Sequence, residues 1–332
     1  MPTKIYYLSS EVSPFSEATD LAKISNKVPT HFQEKKQDFR IFTPRYGFVS
    51  ERRYVIREVI RLKEIEVEFK GEVGFGAAKS AFVPSTRVQV YFMEYQPYFG
   101  GKNKTLYKVA ENRYNQRNAE KYFYFSKIAI ENLTYLYWQP EFILCNDWTT
   151  AMVPILFKTV YAEEEFFTDM KTVLNLVNIE EMGKVAAKQY EMAGLEPEDY
   201  AGYEDNLLGL AIKHADHIIS ISITGKSNKE KIEKHSKIQE ALKATGKKVN
   251  KAKNSGICKK AGRQPDIGLA PDLVYKLIVS CCFFIGSSLN FSLIISSSGF
   301  KTFIFICDKY DLYVSGEIAT LTIIVIIIIA IP

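Results

Sequence analysis

The sequence predicts an α/β protein with a doubly wound, mainly parallel sheet, and two observations support this fold class. Short apolar runs such as Lys4–Ser9 and Glu141–Cys145 lack polar alternation, as is typical of strands buried on both faces. Longer segments between such runs, for example Asn118–Leu136, repeat apolar residues at helical spacing. Strands that alternate with helices favour parallel pairing through helical crossovers.

The amino-terminal part begins with a strand and a helix. Lys4–Ser9 is followed by Leu21–Glu34, where apolar residues recur every three or four positions. The next strands are predicted at Phe39–Thr43, Tyr54–Leu62, Ile65–Phe69 and Arg87–Met93. Two of them alternate apolar and charged residues, as half-exposed strands do. We therefore expect the stretch 54–93 to form a small antiparallel patch on the domain.

The second part of the folded body continues the alternation. After the helix Asn118–Leu136, buried parallel strands are predicted at Glu141–Cys145 and Thr172–Val177. The remaining elements are a helix at Leu207–His214, a strand at His217–Ser222 and a helix at Ser227–Thr245. In the last helix, Ser227 and Glu230 have the spacing of a capping box.

Composition excludes several classes of protein. Of the 332 residues, 47% are hydrophobic and 24% are charged, which excludes a disordered or collagen-like chain. Five Cys without a C-x-x-C pair exclude a disulfide framework and give no support to a zinc or redox site. The net charge of +5 comes from residues 226–263, with 13 Lys or Arg against three Asp or Glu. We interpret that stretch as a solvated helix and arm rather than a site for nucleic acid or anionic lipid.

The composition divides the chain into three predicted parts: a folded body at 1–225, a basic helix and linker at 226–254, and a hydrophobic tail at 255–332. Leu277–Phe300 carries no charge, and Leu312–Ile331 carries only Glu317. Either length suffices to span a bilayer, so membrane association through 277–331 is one interpretation of an irregular or transmembrane-like tail. A frameshifted or read-through end and a packed soluble element are the alternatives. The apolar run among the first residues is too short for a signal peptide, so the expected compartment is the cytoplasm.

Candidate functional residues follow three of the predicted strands. In doubly wound sheets, ligands bind beyond the carboxyl ends of the strands. The residues at those ends are Glu11, Asn146, Asp147, Trp148 and Asn178. Four of them also have a structural interpretation. Glu11 could accept hydrogen bonds from loop amides, Asp147 could cap a helix, Trp148 could belong to the core, and Asn178 could lie in a turn. His214, within a helix, is interpreted as a structural histidine rather than a base.

Four motifs together resemble one known family. They lie at residues 9–22, 44–47 (Pro-Arg-Tyr-Gly), 146–148 (Asn-Asp-Trp) and 213–216 (Lys-His-Ala-Asp). In this combination the chain resembles, over residues 3–222, the amino-terminal domain of bacterial glycogen and starch synthases, glycosyltransferase family 5. Stand-alone amino-terminal-domain members look most similar. The resemblance implies a Rossmann-like sheet that forms one half of a GT-B fold.

The resemblance also implies a reaction and a site. Family members transfer glucose from ADP-glucose to the non-reducing end of an α-1,4-glucan, without a metal or a cofactor beyond the donor substrate. The implied catalytic residues are Asp147 and Asn146. The implied substrate-binding residues are Glu11, Glu17, Trp148 and Asn178. The expected partners are therefore an α-1,4-glucan and ADP-glucose.

Several positions differ from the family pattern. The family loop Lys-x-Gly-Gly-Leu corresponds to residues 17–21 (Glu-Ala-Thr-Asp-Leu), which places two negative charges where a diphosphate is bound. Asn146 stands in place of the family's His, and Val177 in place of a His that contacts the donor sugar. These differences leave two hypotheses: a synthase catalytic domain that is truncated and degenerate, or a non-catalytic relative that binds glucan or regulates a synthase.

Overall fold

The computed structural model describes residues 2–102, 104, 106–110, 113–179, 185–221, 228–251, 289–293, 301–314 and 317–329. The chain divides into two compact units, Met1–Cys282 and Phe283–Pro332, and each is described by itself.

The first unit contains a sheet and the helices that flank it. Its strands are β1 (Lys4–Leu8), β2 (Asp38–Pro44), β3 (Arg57–Glu58), β4 (Ile65–Phe69), β5 (Glu72–Phe82), β6 (Gln89–Glu94), β7 (Lys108–Ala110), β8 (Arg113–Tyr114), β9 (Phe142–Asn146), β10 (Lys171–Asn175), β11 (His217–Ser220) and β12 (Val249–Lys251). Its helices are α1 (Asp20–Glu34), α2 (Glu51–Tyr54), α3 (Gln96–Phe99), α4 (Asn118–Leu136), α5 (Met152–Phe157), α6 (Ala187–Glu191), α7 (Pro197–Tyr200), α8 (Leu207–His214), α9 (Lys229–Lys234) and α10 (Ser236–Thr245). Three short 3-10 turns occupy Ile60–Leu62, Trp148–Thr150 and Glu165–Phe167.

The main sheet has the order β12-β11-β10-β9-β1-β2-β6-β5-β3, with β4 also paired to β5. Every pair from β12 to β6 is parallel, while β5 pairs antiparallel with β6, β3 and β4. This confirms the predicted α/β class and mainly parallel sheet. The antiparallel strands of the 54–93 region extend one edge of the same sheet.

The centre of the sheet is buried on both faces, because helices cover it. All of β9 and residues Ile5–Leu8 of β1 are buried. Helix α4 packs its aromatic and aliphatic residues into this core and also holds β1, since the Tyr6 hydroxyl donates to the Ala129 carbonyl (3.1 Å) and accepts from the Asn132 amide (3.0 Å). The helix occupies the predicted range, Asn118–Leu136.

The predicted strand at Tyr54–Leu62 is wrong. Ser50 caps helix α2 with a hydrogen bond from the Arg53 amide, and Val55 ends that helix in a left-handed conformation at φ 53°. Only Arg57 and Glu58 then form a strand, before a 3-10 turn. The apolar residues of this segment are not all on one face, since Ile56 and Leu62 are buried while Ile60 is 86% exposed. Local capping and a chain reversal therefore decide this segment.

The predicted helix at Ser227–Thr245 is divided in two. Its proposed cap, Ser227, lies outside the described residues, and His235 adopts an extended conformation between α9 and α10. The break allows Ile232 and Ile238 both to be buried. Helix α10 packs against α8, and β12 pairs with β11, so the segment expected to be a linker contributes to the first unit.

In the second unit, the described residues form three antiparallel strands: β13 (Leu289–Leu293), β14 (Lys301–Val314) and β15 (Glu317–Ile329). Most of the charge-free stretch 277–300 lies outside the described residues. Among the residues that are described, no helix is both long and apolar enough to cross a membrane.

Gly47 allows two loops to approach each other closely. Its amide donates to the Phe99 carbonyl at 2.8 Å, and a Cβ at this position would lie 2.1 Å from the Gly100 carbonyl oxygen. We expect Gly47→Ala to lower the free energy of unfolding by about 1–3 kcal/mol, because backbone must move to accept the methyl group. Gly101→Ala is the control, since nothing lies within 4 Å of its Cβ position. Equal urea midpoints for both variants would contradict the assignment.

Candidate functional site

Polar side chains collect at the carboxyl ends of β1, β9 and β10, which are neighbours in the sheet. The parallel pairing brings together Glu11, Asp147 and Asn178, although they lie far apart in the sequence. Glu11 and Asp147 are both almost fully buried. Two carboxyl groups thus share one desolvated edge, where each needs hydrogen-bond donors to offset its burial.

Glu11 is surrounded by donors. Its Oε2 accepts from the backbone amides of Ala18 (2.7 Å) and Thr19 (2.8 Å). Its Oε1 accepts from the Thr19 hydroxyl (2.7 Å) and the Tyr107 hydroxyl (2.6 Å). Burial, and then the neighbouring Glu11 carboxylate, raises the pKa of Tyr107, so this hydroxyl keeps the proton that it donates. Glu11 therefore anchors the loop 11–20, which agrees with the interpretation that it accepts hydrogen bonds from loop amides.

Asp147 receives its donors from the loop after β10. Its Oδ1 accepts from the amides of Val177 (3.3 Å) and Asn178 (2.7 Å). The residue precedes the turn Trp148–Thr150 with φ 67°, but its carboxylate does not cap that turn, contrary to the capping interpretation. Burial raises the pKa of Asp147 to about 7; the hydrogen bonds oppose this shift and the Glu11 charge adds to it.

A neutral bridge connects the two carboxyl groups. The Asn178 side-chain amide donates to the Thr19 hydroxyl oxygen at 2.8 Å, and the Thr19 hydroxyl donates to Glu11. We call the four residues Glu11, Thr19, Asn178 and Asp147 the carboxylate network. Thr19 also caps helix α1 through the Leu21 amide. The network thus fixes the start of α1 to the ends of β9 and β10.

Asn146 lies beside this network, but its side chain forms hydrogen bonds with the ends of neighbouring strands. Its amide nitrogen donates to the Leu8 carbonyl and its oxygen accepts from the Asn175 side chain, both at 2.8 Å. Asn175 in turn accepts from the Ile221 amide at 3.0 Å. These side chains connect the ends of four strands.

Trp148 and Glu17 occupy opposite environments. Trp148 is 4% exposed and makes edge contacts with Tyr107 (5.5 Å) and Tyr122 (5.2 Å), as the core interpretation predicts. Glu17 is exposed on the loop 11–20, where the Ser13 hydroxyl donates to it. The structure therefore places four of the predicted side chains in the buried interior, Asn178 half-buried beside them and Glu17 at the surface. His214 lies apart from these groups in α8; burial lowers its pKa to about 4.

Sequence reasoning missed Tyr107 and Thr19. Tyr107 donates to Glu11 and also exchanges a hydrogen bond with Ser10 (2.8 Å), whose hydroxyl accepts from Thr149 at 3.0 Å. Thr19 lies within the quoted motif at 9–22, which was a usable signal, because Ser, Thr and Asp are preferred N-caps. Nothing in the local sequence distinguishes Tyr107 from the other tyrosines near it.

The sheet, with polar side chains at the carboxyl ends of its central strands, is the fold of one half of a GT-B glycosyltransferase. It matches the catalytic domain of starch synthase IV from Arabidopsis thaliana, which was solved bound to ADP and acarbose. The TM-score is 0.62 at 20% sequence identity, over 76% of this chain and 51% of that one.

Sequence comparison shows the family to which the chain belongs. The family model described as starch synthase catalytic domain matches residues 4–243, so the chain belongs to that family, glycosyltransferase family 5. The glycogen synthase of Pelodictyon phaeoclathratiforme is 34% identical over 226 residues, and that of Chlorobaculum tepidum is 34% identical over 225. These alignments cover 66% of this chain but only 45% and 46% of the relatives, so the chain spans about half their length.

Neutralising Glu11 and neutralising Glu17 should change the free energy of unfolding by clearly different amounts. Glu11→Gln places an amide NH₂ group against donors on one side, so we expect the free energy of unfolding to fall by about 1–3 kcal/mol. Glu17→Gln is the matched control and should change it by less than about 0.5 kcal/mol, because that side chain is exposed. Urea unfolding measures both. Equal effects would show that Glu11 does not anchor the loop.

Asp147 should make stability depend on pH. Its pKa in the fold, about 7, lies above the ordinary value of 3.8, so folding takes up a proton between pH 4 and 7. Raising the pH through this window should destabilise the wild type relative to Asp147→Asn by at most about 1.4 kcal/mol per pH unit. The variant keeps an acceptor oxygen for the Val177 and Asn178 amides.

Urea unfolding at pH 5, 6, 7 and 8 tests this difference. Asp169→Asn, at an exposed position, serves as the control and should follow the wild type at every pH. Parallel curves for the wild type and Asp147→Asn would contradict the raised pKa.

Proposed function

We propose that the first unit binds α-1,4-glucan as the acceptor-binding half of a glycogen or starch synthase. We further propose that this chain alone transfers glucose from ADP-glucose very weakly or not at all. Membership of the starch synthase family supports α-1,4-glucan as the ligand, since the curated relatives carry the name glycogen synthase. The solved starch synthase IV structure contains acarbose and ADP, which supports a site for sugar and nucleotide in this fold.

The carboxylate network carries the proposal of weak transfer. Both oxygens of Glu11 are occupied by donors from the chain itself, and Asp147 accepts two backbone amides. Stabilising a transition state requires groups that are preorganised toward the reacting atoms. Here the network directs its hydrogen bonds inward, toward the loop 11–20 and the end of β10.

The charge of the first loop supports the same conclusion. Glu17 and Asp20 are both exposed at the start of α1, where the family pattern has a Lys and a Gly. Within the described part of the chain, Asp20 pairs with Lys23 at 3.7 Å, a distance that leaves the pair weak at an exposed position. Two carboxylates at the start of α1 repel a diphosphate there, so we propose that the donor substrate ADP-glucose binds weakly. No further cofactor is proposed.

A second function, glucosyl transfer, is favoured by one observation. The raised pKa of Asp147, about 7, gives this carboxyl a proton that it exchanges near neutrality, as a general acid or base requires. Its burial and its two amide donors favour the structural role instead. Transfer is therefore the alternative, with Asp147 as the acid or base that it would use.

Two measurements on the full chain separate these functions. Transfer of labelled glucose from ADP-glucose to glycogen should remain at least about a hundredfold below that of a two-domain synthase, because one preorganised contact typically contributes that much. Turnover equal to such a synthase would establish the alternative. Maltoheptaose, in contrast, should bind saturably and retard the chain on glycogen affinity gels.

Tryptophan fluorescence reports binding at the proposed site. Trp148 lies beside the carboxylate network, whereas Trp138 donates to Asp38 (3.1 Å) and lies under Arg40, whose guanidinium carbon is 4.1 Å from its ring centre. The fluorescence change with maltoheptaose should therefore persist in Trp138→Phe and disappear in Trp148→Phe. The opposite result, or no saturable change in the wild type, would contradict glucan binding at this edge.

A further inference from the structure

A cavity of about 270 Å³ opens next to the loop 11–20 and takes no part in the carboxylate network. Its walls come from that loop, from helix α2 with the residues before it, and from Lys104. The side chains that give it chemical character are Glu17, Phe48, Ser50, Arg53, Tyr54 and Lys104. We call it the α2 cavity. Its volume suits a single sugar unit better than an extended chain.

Aromatic rings form fixed walls of the α2 cavity. Phe15, also in the lining, is buried and meets the Tyr54 ring edge-on at 4.7 Å. The Tyr54 hydroxyl donates to the Pro14 carbonyl at 2.9 Å, which holds its ring in place. Phe48 stacks on Tyr46 with ring centres 5.6 Å apart. The aromatic rings make up one part of the lining, beside polar and charged side chains, and they suit the C–H face of a sugar ring.

Two cations and one carboxylate line the same cavity. Within the part of the chain that the structure describes, neither Arg53 nor Lys104 forms an ion pair. The Arg53 guanidinium carbon lies 5.2 Å from the centre of the Tyr54 ring. The Ser50 oxygen accepts from the Arg53 amide at 3.2 Å, which leaves its hydroxyl hydrogen free to donate. The cavity therefore offers excess positive charge and hydroxyl-binding groups beside an aromatic surface.

We propose that the α2 cavity binds a phosphorylated hexose. The guanidinium of Arg53 and the ammonium of Lys104 meet the phosphate, since Arg binds phosphate oxygens in bidentate geometry and Lys acts as a point charge. Glu17 and Ser50 hydrogen-bond the sugar hydroxyls, and the ring lies against Phe48 and Tyr54. This site is separate from the glucan site proposed above and does not depend on it.

Calorimetric titration of the full chain tests the proposal with three probes: glucose 6-phosphate, glucose and inorganic phosphate. Glucose 6-phosphate should bind at least about tenfold more tightly than either of the others, because only it engages the cations and the aromatic walls together. Glucose that binds equally well would overturn the role of the cations. Phosphate that binds equally well would overturn the role of the sugar.

Variants of neighbouring arginines locate the site. Arg53→Gln should weaken glucose 6-phosphate about tenfold or more, which corresponds to the loss of one charged hydrogen bond. Arg52→Gln is the matched control, since Arg52 is exposed in the same helix but does not line the cavity. Equal losses in the two variants would show a general charge effect and overturn the proposal. Lys104→Gln should weaken binding in the same direction as Arg53→Gln, and an unchanged affinity in both would also overturn it.

Maltoheptaose binding distinguishes the two proposals. It should be unchanged in Arg53→Gln, because Arg53 belongs to the α2 cavity and not to the carboxylate network. If the wild type fails to bind maltoheptaose but binds glucose 6-phosphate with the stated dependence on Arg53, the glucan proposal is wrong and the α2 cavity stands. If it binds maltoheptaose but not glucose 6-phosphate, the reverse holds.

Discussion

The structure of the site edge depends on one buried carboxylate. Glu11 is fully buried, and it is tolerable there only because two backbone amides and two hydroxyls donate to it. Through these bonds the loop 11–20, the start of α1 and the segment that carries Tyr107 take up fixed positions. The same donors that stabilise the charge also exhaust its capacity to accept. A single constraint thus explains both the order of the loop and the limited chemistry that the edge offers.

Asp147 is a second buried carboxyl group at the same edge. The Val177 and Asn178 amides donate to it, and its pKa rises because such bonds do not fully offset the loss of water. Asp147 therefore exchanges a proton near neutral pH, and Glu11 is held by four hydrogen-bond donors. The neutral side chains of Thr19 and Asn178 connect the two groups.

Much of the fold could be predicted, because its signals are local. Helix α4 has nineteen residues of helical periodicity and no competing breaker, so its ends agree with the prediction. Strand β5 escaped prediction since Gly74, Gly76 and several alanines remove the apolar alternation. A Cβ at Gly76 would lie 2.8 Å from the terminal methyl of Ile128. The meeting of Glu11, Asp147 and Asn178 followed from parallel topology. The saturation of Glu11 could not be predicted, because Tyr107 reaches it across 96 positions and the amides of Ala18 and Thr19 reach it by loop conformation.

Helix α4 carries two buried lysines whose ammonium groups donate to loop carbonyls. Lys121 donates to the Leu106 carbonyl at 3.2 Å, and Lys127 donates to the Ala193 carbonyl at 3.0 Å. Their aliphatic stems run through the core, so each loop is fastened to the helix from inside the protein. The segment before Tyr107 and the segment after α6 therefore have fixed distances to span. Homologous chains that retain both lysines should vary in loop length elsewhere on the domain, because an insertion at either carbonyl would leave a buried charge without its acceptor.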